Sequence, residues 1–130
     1  MKTTMKNAML LLVTFAVSSL TAQTQSIDVE TSSIKWVGTK VVSGSHDGTL
    51  NFSSGSLTYE NDVLSAGEFV VDMNSMVCTD LEGNSKKKIE KHLKSDDFFG
   101  VASHPEATLT ISEISADADG NYSAVGDFTI

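Results

Sequence analysis

Arginine is absent from this chain, and cysteine, proline and tryptophan each occur once. Nine lysines face seventeen acids, for a formal charge of −8. A chain without arginine and with so acidic a balance lacks the dense basic surface that phosphate backbones require, which excludes nucleic acid as a partner. Over most of its area it repels anionic membrane surfaces as well. One cysteine, Cys78, cannot form an internal disulfide. It reads either as a redox or intermolecular thiol or as a small buried hydrophobe, and free cysteines most often behave as the latter. Paired-cysteine motifs, a Gly-rich phosphate loop and a Ser/His/Asp order are all missing. The reading is therefore not an enzyme, with no catalytic residue and no cofactor assigned.

Long hydrophobic runs are also lacking. The longest, Ala8 to Val17, is ten residues broken only by Thr14. A spanning helix needs about 20 apolar residues, so this run is not a membrane anchor. Lys2 and Lys6 precede it, and Ser18 to Ala22 is small and polar apart from Leu20. That is the layout of a signal peptide over residues 1–22, with cleavage expected after Ala22 and export of the remainder. The competing reading is a buried core helix. Removing the two leader lysines leaves seven against seventeen acids, a formal charge of −10. Charge of that size mainly confers solubility.

Residues 23–130 suit one domain, with no repeat or linker. Short alternating runs between turn signals predict antiparallel strands at Ser26–Glu30, Ile34–Val42, Thr49–Phe52, Ser56–Tyr59, Gly67–Met73, Ala107–Ile114 and Tyr122–Ile130. Gly44 to Gly48, Glu60-Asn61-Asp62 and Asp119-Gly120-Asn121 mark the connections. Phe69, Val71 and Met73 share one face of their strand. In the last strand Ala124 and Gly126 leave room beside Phe128, or else Gly126 marks a bend.

Lys91 to Ile111 holds a helix end, an aromatic pair and a strand. Leu93 follows Ile89 at helical spacing. Ser95, Asp96 and Asp97 compete with the backbone and end the helix. Lys86, Lys87 and Lys88 crowd its expected first turn, where positive charge opposes the helix dipole; the alternative is an earlier start, near Glu82. Phe98 and Phe99 then demand burial as a plug against an apolar surface. Pro105 extends the chain, and Ala107, Leu109 and Ile111 alternate with Glu106, Thr108, Thr110 and Ser112.

Four segments in this order resemble the YceI-like family of periplasmic proteins: IKWVGTKVVSGSHDGTLNFSSGSL, AGEFVVDMNSM, HLKSDDFF with HPEATLTI, and GDFTI. The resemblance implies an all-β fold, a lipocalin-like antiparallel β-barrel with one short helix, enclosing a long isoprenoid lipid. The family pattern continues beyond Ile130, so the barrel is expected to be several C-terminal strands short. An unpaired edge would favour self-association, with a homodimer one expected assembly. His46 and His92 match the family pattern, whereas the position of His104 is usually aromatic.

The histidines lack the i, i+2 or i, i+4 spacing that preorganises a metal pair, so no metal site is assigned. Asp117, Asp119 and Asn121 resemble the start of a calcium loop, but the glutamate at its twelfth position is missing, which favours a hairpin turn. Lys86, Lys87, Lys88, Lys91 and Lys94 form either a solvated helix face or a basic rim for an anionic head group or a partner.

The expectation is an exported protein that encloses a polyisoprenoid-type lipid, such as a quinone tail. Its lining would be Trp36, Phe52, Leu57, Phe69, Val71, Leu109, Ile111 and Phe128, with Phe98 and Phe99 plugging one end. The alternative is a filled-core barrel serving as a structural or stress-related interaction module. A metal-dependent enzyme using His46 and His92 is the third reading.

Overall fold

A computed structural model describes residues 21–130. Residues 1–20, which carry most of the expected leader, lie outside the described residues. Six strands and one helix follow in the order β1 (Ala22–Ser26), β2 (Ser33–Thr39), β3 (Ser45–Glu60), β4 (Val63–Cys78), α1 (Gly83–Lys94), β5 (Glu106–Ala116) and β6 (Tyr122–Thr129). All pairings are antiparallel, in the spatial order β1-β3-β4-β5-β6. β2 also pairs with β3, so β1 and β2 lie end to end along one edge of that long strand. The sheet is not closed among the described residues.

β3 and β4 form a hairpin of two 16-residue strands. Asn61 and Asp62, with φ of 50° and 65°, supply the two left-handed residues that a tight two-residue turn requires. The two strands expected at Thr49–Phe52 and Ser56–Tyr59 are one continuous strand. Pairing passes through Ser53-Ser54-Gly55-Ser56 by way of a register shift between Phe52 and Ser54. The Gly44 to Gly48 segment, expected as a turn, is mostly strand as well. Its turn is confined to the tip, closed by the Lys40 N–H donating to the Gly44 carbonyl at 2.9 Å.

The first strand lies before Ser26–Glu30 rather than over it. Asp28 Oδ1 accepts from the Glu30 N–H at 3.0 Å and from the Thr31 N–H at 3.3 Å, so the chain turns there instead of extending.

Register shifts keep apolar residues on the concave side. On β5, Ile111 faces Gly126 and Glu113 faces Val125, leaving Ser112 as an extra residue. Ile114 therefore returns to the face of Ile111. An ideal Cβ at Gly126 would lie 3.1 Å from the Ile111 Cα, so the glycine permits close approach at this bulge. A larger excursion occurs on β4. Asn51 pairs with Asp72 and Thr49 with Val77, so Met73 to Met76 bulge outward from the ladder. Ser75 Oγ holds the bulge, accepting from the Asn51 N–H at 2.8 Å and donating to the Asp72 carbonyl at 2.6 Å. Met73 and Met76 thereby both turn inward, 3% and 2% exposed.

The core gathers Leu50, Val71, Met73, Met76, Val101 and Ala107, with Ile34, Trp36, Phe52, Leu93 and Phe99 packed against it. Helix α1 begins after Glu82, the earlier of the two expected starts, which moves Lys87 and Lys88 out of its first turn. Glu90 Oε1 accepts from the Cys78 N–H at 2.8 Å, and Lys94 Nζ donates to the Asn74 carbonyl at 2.8 Å. Both contacts pin the helix to β4. No helix among the described residues is long and apolar enough to cross a membrane.

Candidate functional site: an apolar trough under a basic helix

β2 and β6 stand at opposite edges of the sheet, yet Ile34 and Trp36 of one and Phe128 of the other line the same cavity. The sheet is thus curled into a trough of about 750 Å³. Its walls are almost wholly apolar, and no polar or charged residue is buried among the described residues. Alternation along each strand aims every second side chain inward, which brings Phe52, Phe69, Val71 and Leu109 together. The Phe52 and Phe69 rings meet at 5.8 Å between centroids, tilted by 46°.

Eight of the ten expected lining residues border this trough: Trp36, Phe52, Phe69, Val71, Phe98, Phe99, Leu109 and Phe128. Leu57 and Ile111 do not. They belong to the same concave face but meet over Gly67, where an ideal Cβ would lie 3.1 Å from Ile111 Cδ1 and 3.4 Å from Leu57 Cδ2. Ile27 packs similarly over Gly55 beside Phe69. Side chains occupy that end, and Phe69 marks where the open volume begins. Ile34, Leu50, Met73, Met76, Leu93 and Ala107 line the trough and were not among the expected site residues. Leu50 and Ala107 were legible as inward positions of alternating strands. Met76 was not, because its parity is set by the β4 bulge.

The turn after α1 narrows one end, the mouth, where Trp36, Gly38, Leu93 and Phe98 border both the trough and an outer recess. The Phe99 N–H donates to the Leu93 carbonyl at 3.2 Å, and the half-buried Phe99 ring packs on the core. Phe98 is 58% exposed and stands edge-on to the His92 ring at 4.8 Å. The aromatic pair is therefore one plug and one gatepost. On the β6 side the trough is open, with Phe128 61% exposed.

A second recess of about 630 Å³ adjoins the first outside Trp36, Leu93 and Phe98. Lys40, Val41, His46, Ser85, Lys88, Ile89 and His92 give it a mixed surface. His46 and His92 both reach it, but His46 Nδ1 is bonded to Asp80 Oδ2 at 2.9 Å, and His92 Nε2 lies 3.7 Å from Asp97. No cluster of three His, Cys, Asp or Glu suited to a metal occurs among the described residues. Asp117, Asp119 and Asn121 form a turn in which Asp117 Oδ1 accepts from the Asp119 and Asn121 N–H groups, each at 2.9 Å.

Cys78 is fully buried, and its thiol donates to Asp80 Oδ1 at 2.9 Å. Burial first, then the hydrogen bond to the Asp80 carboxylate, pushes the thiol pKa up. The thiol bond and then the His46 bond hold Asp80 down at about 2. The group is a latch joining β3, β4 and the loop before α1. A protonated, enclosed thiol is a poor nucleophile.

An antiparallel sheet curled around an apolar interior but not closed is the architecture of an incomplete β-barrel. The YceI-like domain matches residues 25–130, and the chain belongs to that family. It is similar to a UPF0312 protein of Yersinia enterocolitica and to one of Pectobacterium atrosepticum, each 30% identical over 83 residues. It is also similar to a UPF0312 protein of Yersinia pestis, 29% identical over the same length. Each match covers 64% of this chain and 41% of the relative.

Proposed function

We propose that the protein is an exported carrier that holds the apolar tail of an isoprenoid-type lipid in the trough. The observation that supports this most is the trough itself, about 750 Å³ lined by apolar side chains. Filled cores are packed to crystal-like density and leave few voids larger than a water molecule. Small-molecule sites typically span about 300–1,000 Å³. Transfer of apolar surface is the whole mechanism. Each methylene removed from water contributes about 0.8 kcal/mol, so several isoprene units bind tightly with no polar anchor. Aromatic and branched walls suit a methyl-branched chain, because they present contact area without hydrogen-bonding demands. Export rests on the leader over residues 1–22.

Native mass spectrometry of protein purified after export from its own cells tests this reading. The expected spectrum contains the protein plus the mass of a prenyl-chain lipid. A spectrum of unliganded protein alone, unchanged when prenyl lipids are added, would contradict it.

A further inference from the structure

All seven lysines among the described residues lie on β2, in the hairpin after it, or on α1. Helix α1 carries five of them against one glutamate, Glu90. The remaining described residues carry Lys35, Lys40 and sixteen acids. A strongly acidic molecule thus confines its positive charge to one strand, one hairpin and one helix. Lys40 and Lys88 line the outer recess together, which puts the hairpin and the helix side by side at the mouth of the trough. Lys35, Lys86 and Lys94 are engaged by Asp47, Glu90 and the Asn74 carbonyl. Lys40, Lys87, Lys88 and Lys91 have no ion-pair partner among the described residues.

The same place exposes apolar side chains. Val41 and Val42 form the hairpin tip and are 104% and 94% exposed, so they contact almost nothing in the molecule. Gly44, with φ of 86°, turns the chain back behind them. Phe98, also exposed, borders the same recess as Val41. Two valines and a phenylalanine held outward among unpaired lysines have the composition of an interfacial anchor. Apolar tips enter the headgroup boundary while cations meet anionic lipid.

We infer that the mouth of the trough docks on an anionic lipid bilayer through the Val41-Val42 tip, Lys40 and Lys88. The acidic remainder of the molecule is repelled by the same surface, which orients the approach. Docking there sets Phe98 between the bilayer and the trough, where a lipid tail would pass. That consequence rests on the carrier reading; the docking itself does not.

The test is vesicle flotation with phosphatidylcholine alone and with phosphatidylglycerol added. Wild type and variants are purified after export, so that the apolar leader does not itself enter the bilayer. Wild type should float with the anionic vesicles only. Val41→Asp/Val42→Asp and Lys40→Glu/Lys88→Glu should each lower binding at least about tenfold, since each lysine near the surface is worth about fivefold. None of these four side chains lines the trough, so retention of a fluorescent prenyl analogue in solution should be unchanged. Failure of the wild type to float, equal flotation with neutral vesicles, or unchanged binding in either variant pair overturns the docking proposal. Flotation by a wild type that retains no prenyl analogue supports docking and sinks the carrier reading alone.

Discussion

The Trp36 indole N–H donates to the Val77 carbonyl at 3.2 Å, reaching across β3 to β4. It crosses at Gly48, where an ideal Cβ would collide with the Val77 carbonyl oxygen of β4 and fall 2.6 Å from the indole ring. The glycine is therefore what lets the one tryptophan lie over the sheet and wall the mouth of the trough. Gly48→Ala should push the Val77 carbonyl and the ring away from β3, break the indole bond and cost at least about 1–3 kcal/mol, the usual range for overpacking. Tryptophan fluorescence reads the displacement directly, since Trp36 is the chain's sole indole. An unshifted emission spectrum with unchanged stability would show that the contact relaxes freely.

Acid should loosen the latch beneath that mouth. Asp80 is held at about 2 against an ordinary 3.8, chiefly by the Cys78 thiol and then by His46. Its folded-state pKa is depressed, so the unfolded chain takes up the proton first. The stability contributed is complete above the ordinary value and is lost as pH falls toward about 2. Chemical unfolding followed between those limits should show a slope that flattens in Asp80→Asn. Identical slopes in the two proteins would mean that the latch does not couple to folding.

Cys78 should resist thiol reagents in the native protein and react promptly in denaturant. Full burial removes access, and the raised thiol pKa removes the reactive thiolate. The reaction rate of a disulfide-exchange reagent, with and without urea, measures this. Rapid native reaction would restore the redox reading of this residue.

Much of this architecture was legible in the sequence. Alternation placed Phe69, Val71 and Leu109 on the inner face, and Ser95-Asp96-Asp97 marked the end of the helix. The two aromatics that follow could be assigned to a plug because they had no polar alternative, although only Phe99 is drawn into the core. Other features were not legible, for identifiable reasons. Ser53-Ser54-Gly55 has turn composition, yet its backbone bonds are satisfied by β4, which keeps β3 whole. The inward turn of Met76 depends on a bulge held by Ser75, and period-two reasoning has no term for a change of parity. Leu57 and Ile111 face the right way but meet over Gly67, a packing fact that no single strand contains.

Phe69 carries the central claim, because it stands where the packed end of the concave face meets the open trough. The direct test is Phe69→Ala, read by two quantities on the same preparation: unfolding free energy and retention of a fluorescent prenyl analogue. In a carrier, the wild type retains the analogue. The substitution then weakens retention at least about tenfold, and stability falls by less than the ~3–5 kcal/mol that a new void in a filled core would cost. A wild type that retains no analogue, together with a stability loss of that full size, would contradict the account and leave a filled barrel that acts through its surface.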